Sequence, residues 1–218
     1  MITQATKIIG LPLTLITLFN TSVIAQENQI LDDVRQVMED SRVVAAFEYI
    51  DAHDEETVNT LITLTEIPAP PFAETERALA FLEMLNSIGV DDSYIDEVGN
   101  VIALRKGSAV NPNTMVISGH LDTVFPEGTN VQVQQLGDTL KAPGIADDTR
   151  GLAVLLTILR SMNASNIATD NNILFVGTVG EEGLGDLRGV KHLFNDSQLE
   201  ISSFISVDGT NDNRVTHQ

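Results

Sequence analysis

Apolar residues recur at helical spacing over much of the first half of the chain. Between residues 29 and 49 they return at close to 3.6-residue spacing, which is typical of a helix with one apolar face. The same spacing predicts helices over residues 54–65 and 74–88. The proline-rich segment Ile67–Pro71 separates these two helices, because proline lacks an amide hydrogen and disfavours helix before it. Gly89 fits the C-terminal cap of the later helix.

Short β-rich segments alternate with helices in the rest of the chain. A strand pair is predicted over residues 94–98 and 101–105, joined through Gly99-Asn100, and a buried strand begins at Thr114. The later predictions are a hairpin over 131–135 and 139–141, helices over 152–162 and 187–194, and apolar strands over 173–179 and 204–207. This alternation predicts an α/β fold, in which a mixed, largely parallel sheet is flanked by helices.

Histidine and acidic side chains follow the ends of three predicted strands. The strand from Thr114 ends at His120-Leu121-Asp122, the 173–179 strand leads into Glu181-Glu182, and the 204–207 strand leads into Asp208. Ligands of parallel sheets gather at the carboxyl ends of the strands, so we expect these side chains to meet at one edge. Asp147 joins them from the turn before the 152–162 helix.

The composition restricts the metals and partners that this edge could bind. The chain has no cysteine, so it has no disulfide framework and no thiolate zinc site, and any metal must be held by His, Asp and Glu. Its formal net charge of -19 and pI near 4.3 would repel the phosphates of nucleic acid. The sequence therefore predicts no nucleic-acid partner.

The clustered carboxylates indicate a divalent cation. Several carboxylates at one sheet edge repel each other unless a cation offsets their charge. A His and carboxylate set without sulfur suits zinc, cobalt or manganese in a hydrolytic site. Of two adjacent glutamates, one can bind metal while the other acts as general base, and Asp122 can hold the second ring nitrogen of His120. Each acidic residue alone could equally be a solvated turn or a cap, and only the set in this order predicts a site.

The four segments around these residues resemble a known enzyme family. They are similar to the co-catalytic di-zinc metallopeptidases that include tripeptidase (peptidase T), glutamate carboxypeptidase, aminoacylase and succinyl-diaminopimelate desuccinylase, from about Leu61 to the last residue. The resemblance implies a zinc-exopeptidase-like catalytic domain, two Zn²⁺ ions and a cis Asp147-Asp148 peptide. It implies that His120 and Asp208 bind one metal, Glu182 binds the other, Asp147 bridges both, Asp122 orients His120, and Glu181 takes a proton from the attacking water and returns it to the leaving amine.

Two departures from the family pattern change the expectation. The family usually has Lys after the Asp147-Asp148 pair, where this chain has Thr149-Arg150. The family also inserts a lid and dimerisation domain after the strand that ends at Asp208, and a later returning segment supplies a His to the second metal. We therefore expect residues 26–218 to be the N-terminal part of the catalytic domain, weak or inactive alone, with a homodimer possible for a full-length parent. His53 and His192 are predicted to be surface or packing residues.

Three functions stay open at this point. The first is a zinc-dependent exopeptidase-like hydrolase, such as a tripeptide aminopeptidase acting on short peptides. The second is a deacylase of N-acyl amino acids, and the third is a degenerate, non-catalytic fragment.

The first residues are typical of an export signal. Lys7 precedes an apolar run over residues 8–19, and Val23-Ile24-Ala25 offers small or short residues at a cleavage point. We predict a signal peptide over residues 1–25, a secreted or periplasmic location, and no stable membrane span after processing. The alternative is an uncleaved N-terminal membrane anchor.

Overall fold

The computed structural model describes residues 29–195 and 197–209. The signal-peptide prediction for residues 1–25 lies outside these residues and stays a prediction. In the described part of the chain, no helix is both long enough and apolar enough to cross a membrane.

The chain divides after Val44 into two compact units. Residues 29–39 are helical (α1), and α2 covers Ser41–Ala52, where the sequence predicted one continuous helix over 29–49. The break at Asp40 has a local cause. The Asp40 carboxylate accepts a hydrogen bond from the Arg42 main-chain N–H at 2.8 Å, so it caps the start of a new helix.

The remaining helices lie close to their predicted bounds. They are α3 (Asp54–Thr65), α4 (Thr75–Ile88), α5 (Arg150–Ala164) and α6 (Arg188–Asn195). Gly89 ends α4 with a φ of 98°, which a residue with a Cβ rarely adopts, and its N–H donates to the Leu85 carbonyl.

Five strands form one mixed sheet, as predicted. They are β1 (Asp92–Ile95), β2 (Val101–Arg105), β3 (Thr114–His120), β6 (Asn172–Thr178) and β7 (Ser203–Ser206), in the spatial order β1-β2-β6-β3-β7. Strand β3 is parallel to both of its neighbours, β6 and β7, whereas β2 is antiparallel to β1 and β6. The predicted hairpin forms a separate two-stranded sheet from β4 (Gln134–Leu136) and β5 (Thr139–Lys141).

The first strand ends three residues earlier than the predicted 94–98. The Asp96 carboxylate accepts hydrogen bonds from the main-chain N–H groups of Val98, Gly99 and Asn100. This turn occupies residues that the apolar pattern assigned to the strand, because an Asp side chain can satisfy backbone donors that a ladder would otherwise use.

Both faces of the sheet are covered by helices. Successive residues of β6 point to opposite faces, so this strand contributes to the packing on each side. On one side Ile173 and Phe175 pack in a cluster with leucines of α5 and with Phe81 and Leu85 of α4. On the other side Leu174 and Val176 pack with Leu193 of α6. This packing fixes the register of the strands, and therefore where each strand end lies.

Candidate metal centre

The sheet order brings the predicted site residues to one edge. His120 is the last residue of β3, and β3 lies between β6 and β7. Glu181 and Glu182 follow β6, and Asp208 follows β7. Asp147 reaches the same edge from the turn Ile145–Thr149, which directly precedes α5.

A first group of donors surrounds the ring of His120. Its Nε2 lies 2.8 Å from Asp147 Oδ1 and 3.9 Å from Asp208 Oδ1. The ligand atoms of the three residues all lie within 4.8 Å of one another. The imidazole is buried, whereas the side chains of Asp147 and Asp208 are about half exposed, so the group opens to solvent on its acidic side.

A second group shares the same histidine. The ligand atoms of His120, Glu181 and Glu182 also lie within 4.8 Å of one another, and both glutamates are partly exposed. The described residues thus offer two adjacent donor sets of one imidazole nitrogen and two carboxylates, with His120 common to both.

Asp122 connects the histidine to the glutamate pair. His120 Nδ1 lies 3.0 Å from the Asp122 main-chain carbonyl oxygen and 3.7 Å from its carboxylate. The same buried carboxylate accepts hydrogen bonds from the main-chain N–H groups of Glu181 at 3.0 Å and Glu182 at 2.9 Å. The close contact of Asp122 with the ring is therefore made by its main-chain carbonyl, where the sequence suggested its carboxylate. The carboxylate instead fixes the backbone of both glutamates, which the sequence did not indicate.

Asp148 is a site residue to which the sequence interpretation gave no role. It is fully buried, and its carboxylate accepts from the His120 N–H at 3.1 Å and from the Gly151 N–H at 3.0 Å. The Asp147-Asp148 peptide is cis, as the family resemblance implies. Gly119 and Gly151 are the features of the sequence that could have indicated the role of Asp148, because a Cβ at either position would overlap the Asp148 carboxylate.

Arg77 of α4 is a second residue that the sequence did not single out. Its guanidinium is fully buried, and it donates to the Leu121 carbonyl at 2.6 Å and to the Ile67 carbonyl at 2.6 and 3.1 Å. Burial lowers the pKa of Arg77 to about 10, so it stays charged at neutral pH. It ties the proline-rich segment to the peptide between His120 and Asp122.

The departure at Thr149 has a structural account. Its hydroxyl donates to the Gly144 carbonyl at 2.9 Å and lies 2.7 Å from the Thr65 hydroxyl, so the buried side chain anchors the turn that carries Asp147.

The two other described histidines lie away from this site. His192 is buried with its Nε2 3.3 Å from Glu97, and His53 stacks on Tyr49.

Burial and the clustered carboxylates shift the ionisation of the site. Burial alone opposes a charged imidazole, but contacts with Asp122, Asp148 and Asp147 outweigh it and raise the pKa of His120 to about 10. Burial raises the pKa of Asp148 to about 7. The pKa of Glu181 is raised by burial, and that of Glu182 by burial and by Asp147. Burial is thus the main cause of the raised pKa values of the acidic groups, and repulsion between neighbouring carboxylates adds to it.

The comparison with known families agrees with this arrangement. A family model described as peptidase family M28 matches residues 100–217, which is more than half of the chain. The chain belongs to peptidase family M28. The matched segment contains every site residue that the sequence predicted, so the resemblance to metallopeptidases is confirmed.

Two curated relatives of this M28 chain are named as a hydrolase and a deformylase. A protein of Thermococcus kodakarensis named as a LysW-lysine/LysW-ornithine hydrolase is 36% identical over 139 residues, which are 64% of this chain and 36% of the relative. The N-formyl-4-amino-5-aminomethyl-2-methylpyrimidine deformylase of Halalkalibacterium halodurans is 26% identical over 150 residues, covering 62% of this chain and 34% of the relative. The chain thus spans about a third of the length of these curated relatives.

A solved aminopeptidase confirms the fold. The aminopeptidase PepT of Bacillus cereus superposes with a TM-score of 0.60 at 25% sequence identity, over 71% of this chain and 43% of the aminopeptidase. The mixed sheet flanked by helices is therefore the α/β arrangement found in this class of peptidase.

Proposed function

We propose that this chain carries the metal-binding part of a zinc-dependent hydrolase, which cleaves amide bonds in short peptides in the manner of an exopeptidase. The observation that carries the proposal is the gathering of His120, Asp147 and Asp208 at one sheet edge, with Glu181 and Glu182 beside the same ring. Family membership and the fold of an aminopeptidase support it.

The chemistry of the donors fits a divalent cation. One imidazole and several carboxylates, without a thiolate, suit Zn²⁺, with Co²⁺ or Mn²⁺ as alternatives. His120, Asp147 and Asp208 would hold one ion and Glu182 the second, with Asp147 shared between them. A cation would also offset the repulsion from Asp147, which adds to the effect of burial in raising the pKa of Glu182.

The protein groups around such ions have distinct tasks. Bound Zn²⁺ supplies Lewis-acid polarisation of the scissile carbonyl and lowers the pKa of water. Glu181 accepts a proton from the attacking water on a carboxylate oxygen, and it returns that proton to the nitrogen of the leaving amine. Its raised pKa brings it closer to neutral pH, which favours both transfers. Asp122 holds the backbone of Glu181 while its main-chain carbonyl contacts the His120 ring.

Deacylation of N-acyl amino acids is the second candidate. The same residues would perform it, because peptides and N-acyl amino acids share the amide group. The names of the two curated relatives, a hydrolase of LysW-linked amino acids and a deformylase, favour keeping it.

Glu181 provides the test. Glu181→Gln keeps the size of the side chain but cannot accept the proton, so we expect metal content to stay unchanged and hydrolysis to fall by a factor of about 10²–10⁴. Tripeptides and N-acetyl amino acids would be incubated with the zinc-loaded chain, and the products would be quantified by mass spectrometry. Glu200→Gln, on an exposed loop, is the matched control.

Hydrolysis that survives Glu181→Gln would contradict the assigned role. A chain that binds no metal and hydrolyses none of these substrates would instead support the non-catalytic alternative.

A further inference from the structure

An apolar cavity of about 490 Å³ opens beside the candidate metal centre. Its walls come from three separate segments, the proline-rich segment before α4, the residues after Asp122 and the turn after β6. Glu182 belongs both to this wall and to the second donor group, so the cavity adjoins the metal centre.

The cavity displays three strongly exposed apolar side chains. Phe72 is 64% exposed, Val124 is 60% exposed and Leu184 is 88% exposed. The other apolar side chains of the lining are Pro70, Pro71, Ala73 and Pro126. Contiguous exposed apolar surface in a concave site is typical of a ligand pocket.

Phe72 is held in place by a partly buried ion pair. Its φ of 69° is rare for a residue with a Cβ, and its N–H donates to Glu74 Oε1 at 3.1 Å. The other oxygen of the buried Glu74 accepts from Arg188 at 2.8 Å, and the Arg188 guanidinium lies 4.8 Å from the centre of the Phe72 ring. The backbone and the ring of Phe72 are thus oriented by Glu74 and Arg188.

The charges at the cavity disfavour binding of an acidic side chain. Among the described residues, the charged ones lining it are Glu127 and Glu182, both acidic. The nearby cation Arg188 is paired with Glu74 beneath the Phe72 ring. An acidic side chain would therefore meet repulsion without a compensating cation.

We propose that this cavity binds an apolar side chain next to the scissile amide, so that the substrates are peptides or N-acyl amino acids with an aliphatic or aromatic residue there. This inference rests on the proposed function, because the cavity acquires this meaning from the adjacent metal centre. Val124, Leu184 and Phe72 are its specificity-determining residues.

Methyl NMR of the full chain labelled at Leu and Val tests the inference without requiring turnover. The probes are leucinamide, lysinamide and isoasparagine, which share one scaffold and differ in an apolar, cationic or acidic side chain. We expect leucinamide to shift the methyl signals of Val124 and Leu184 saturably, with a dissociation constant at least about tenfold below that of isoasparagine. Leu184→Asp should abolish this preference. Val110→Asp should not, because Val110 is 97% exposed on the loop between β2 and β3.

Several results would overturn the inference. Equal binding of the three probes, tighter binding of lysinamide than of leucinamide, or shifts confined to other methyl groups would each do so. Signals of Leu184 that change with protein concentration alone would identify an interface between copies of the chain instead. Zinc content and the Glu181→Gln assay are measured separately. A wrong inference about the cavity can therefore be distinguished from a wrong proposed function.

Discussion

Replacing Arg77 tests how the core supports the metal centre. Arg77 is fully buried, and its three hydrogen bonds hold the carbonyls of Ile67 and Leu121. Arg77→Ala leaves the buried Leu121 carbonyl without this donor and deprives the partly buried Ile67 carbonyl as well. A buried polar group left unpaired costs roughly 1–3 kcal/mol, so we expect the free energy of unfolding to fall by about 2–4 kcal/mol before any loss of packing.

The same change should weaken metal binding. Leu121 lies between His120 and Asp122, and its carbonyl loses its anchor in Arg77→Ala. Mutation of the groups that orient metal ligands typically costs roughly 10–100-fold in affinity, and we expect a loss in that range. Arg77→Lys can reach only one of the two carbonyls and should give an intermediate result.

Urea denaturation followed by circular dichroism gives the stability, and titration with zinc against a competing chelator gives the affinity. Arg35→Ala is the matched control, because Arg35 is 71% exposed in an ion pair with Asp32 and such pairs contribute little. A loss of less than about 1 kcal/mol in Arg77→Ala, with unchanged zinc affinity, would refute the reasoning.

Two further predictions concern the groups beside His120. Replacing Gly by Ala inside an ordinary helix stabilises it by about 1 kcal/mol. At Gly151, however, the new methyl group would overlap the Asp148 carboxylate, so we expect Gly151→Ala to lower the free energy of unfolding, measured by urea denaturation, by about 1–3 kcal/mol. A gain in stability would contradict this contact. The second prediction concerns protons: with a pKa of about 10, His120 is charged at neutral pH in the metal-free protein, so zinc must displace a proton. Zinc affinity should therefore rise about tenfold for each unit by which pH increases, up to pH 10. Calorimetry in buffers of different ionisation enthalpy should detect the proton released on zinc binding. If no proton is released, the ring is neutral before zinc binds.

The fold could be predicted from the sequence because apolar residues follow the period of each strand and helix. The apolar runs of β3 and β6 and the apolar face of α5 are continuous, and the sheet order then brings His120, Glu181 and Asp208 to one edge. The predictions that shifted, the break at Asp40 and the early end of β1 at Ile95, depend on a carboxylate that hydrogen-bonds the backbone. Such a local competitor is invisible to a count of apolar positions.

The supporting contacts of the site could not be predicted in the same way. Arg77 lies 44 positions before its acceptor Leu121, and Asp148 binds the backbone of a residue 28 positions away. No local pattern encodes such pairings, because they depend on how α4 and the Asp147-Asp148 turn pack against β3. The cavity beside Glu182 was missed for the same reason, since its walls come from three distant segments.

Metal content is the measurement that tests the central claim most directly. The purified chain would be loaded with zinc, dialysed and measured by elemental mass spectrometry beside Asp147→Ala, with Asp138→Ala on the turn between β4 and β5 as the control. We expect bound zinc in the parent chain and in Asp138→Ala, and its loss in Asp147→Ala, because Asp147 Oδ1 lies beside the Nε2 of His120. A chain without zinc, or equal zinc in all three proteins, would contradict a metal centre at this edge of the sheet.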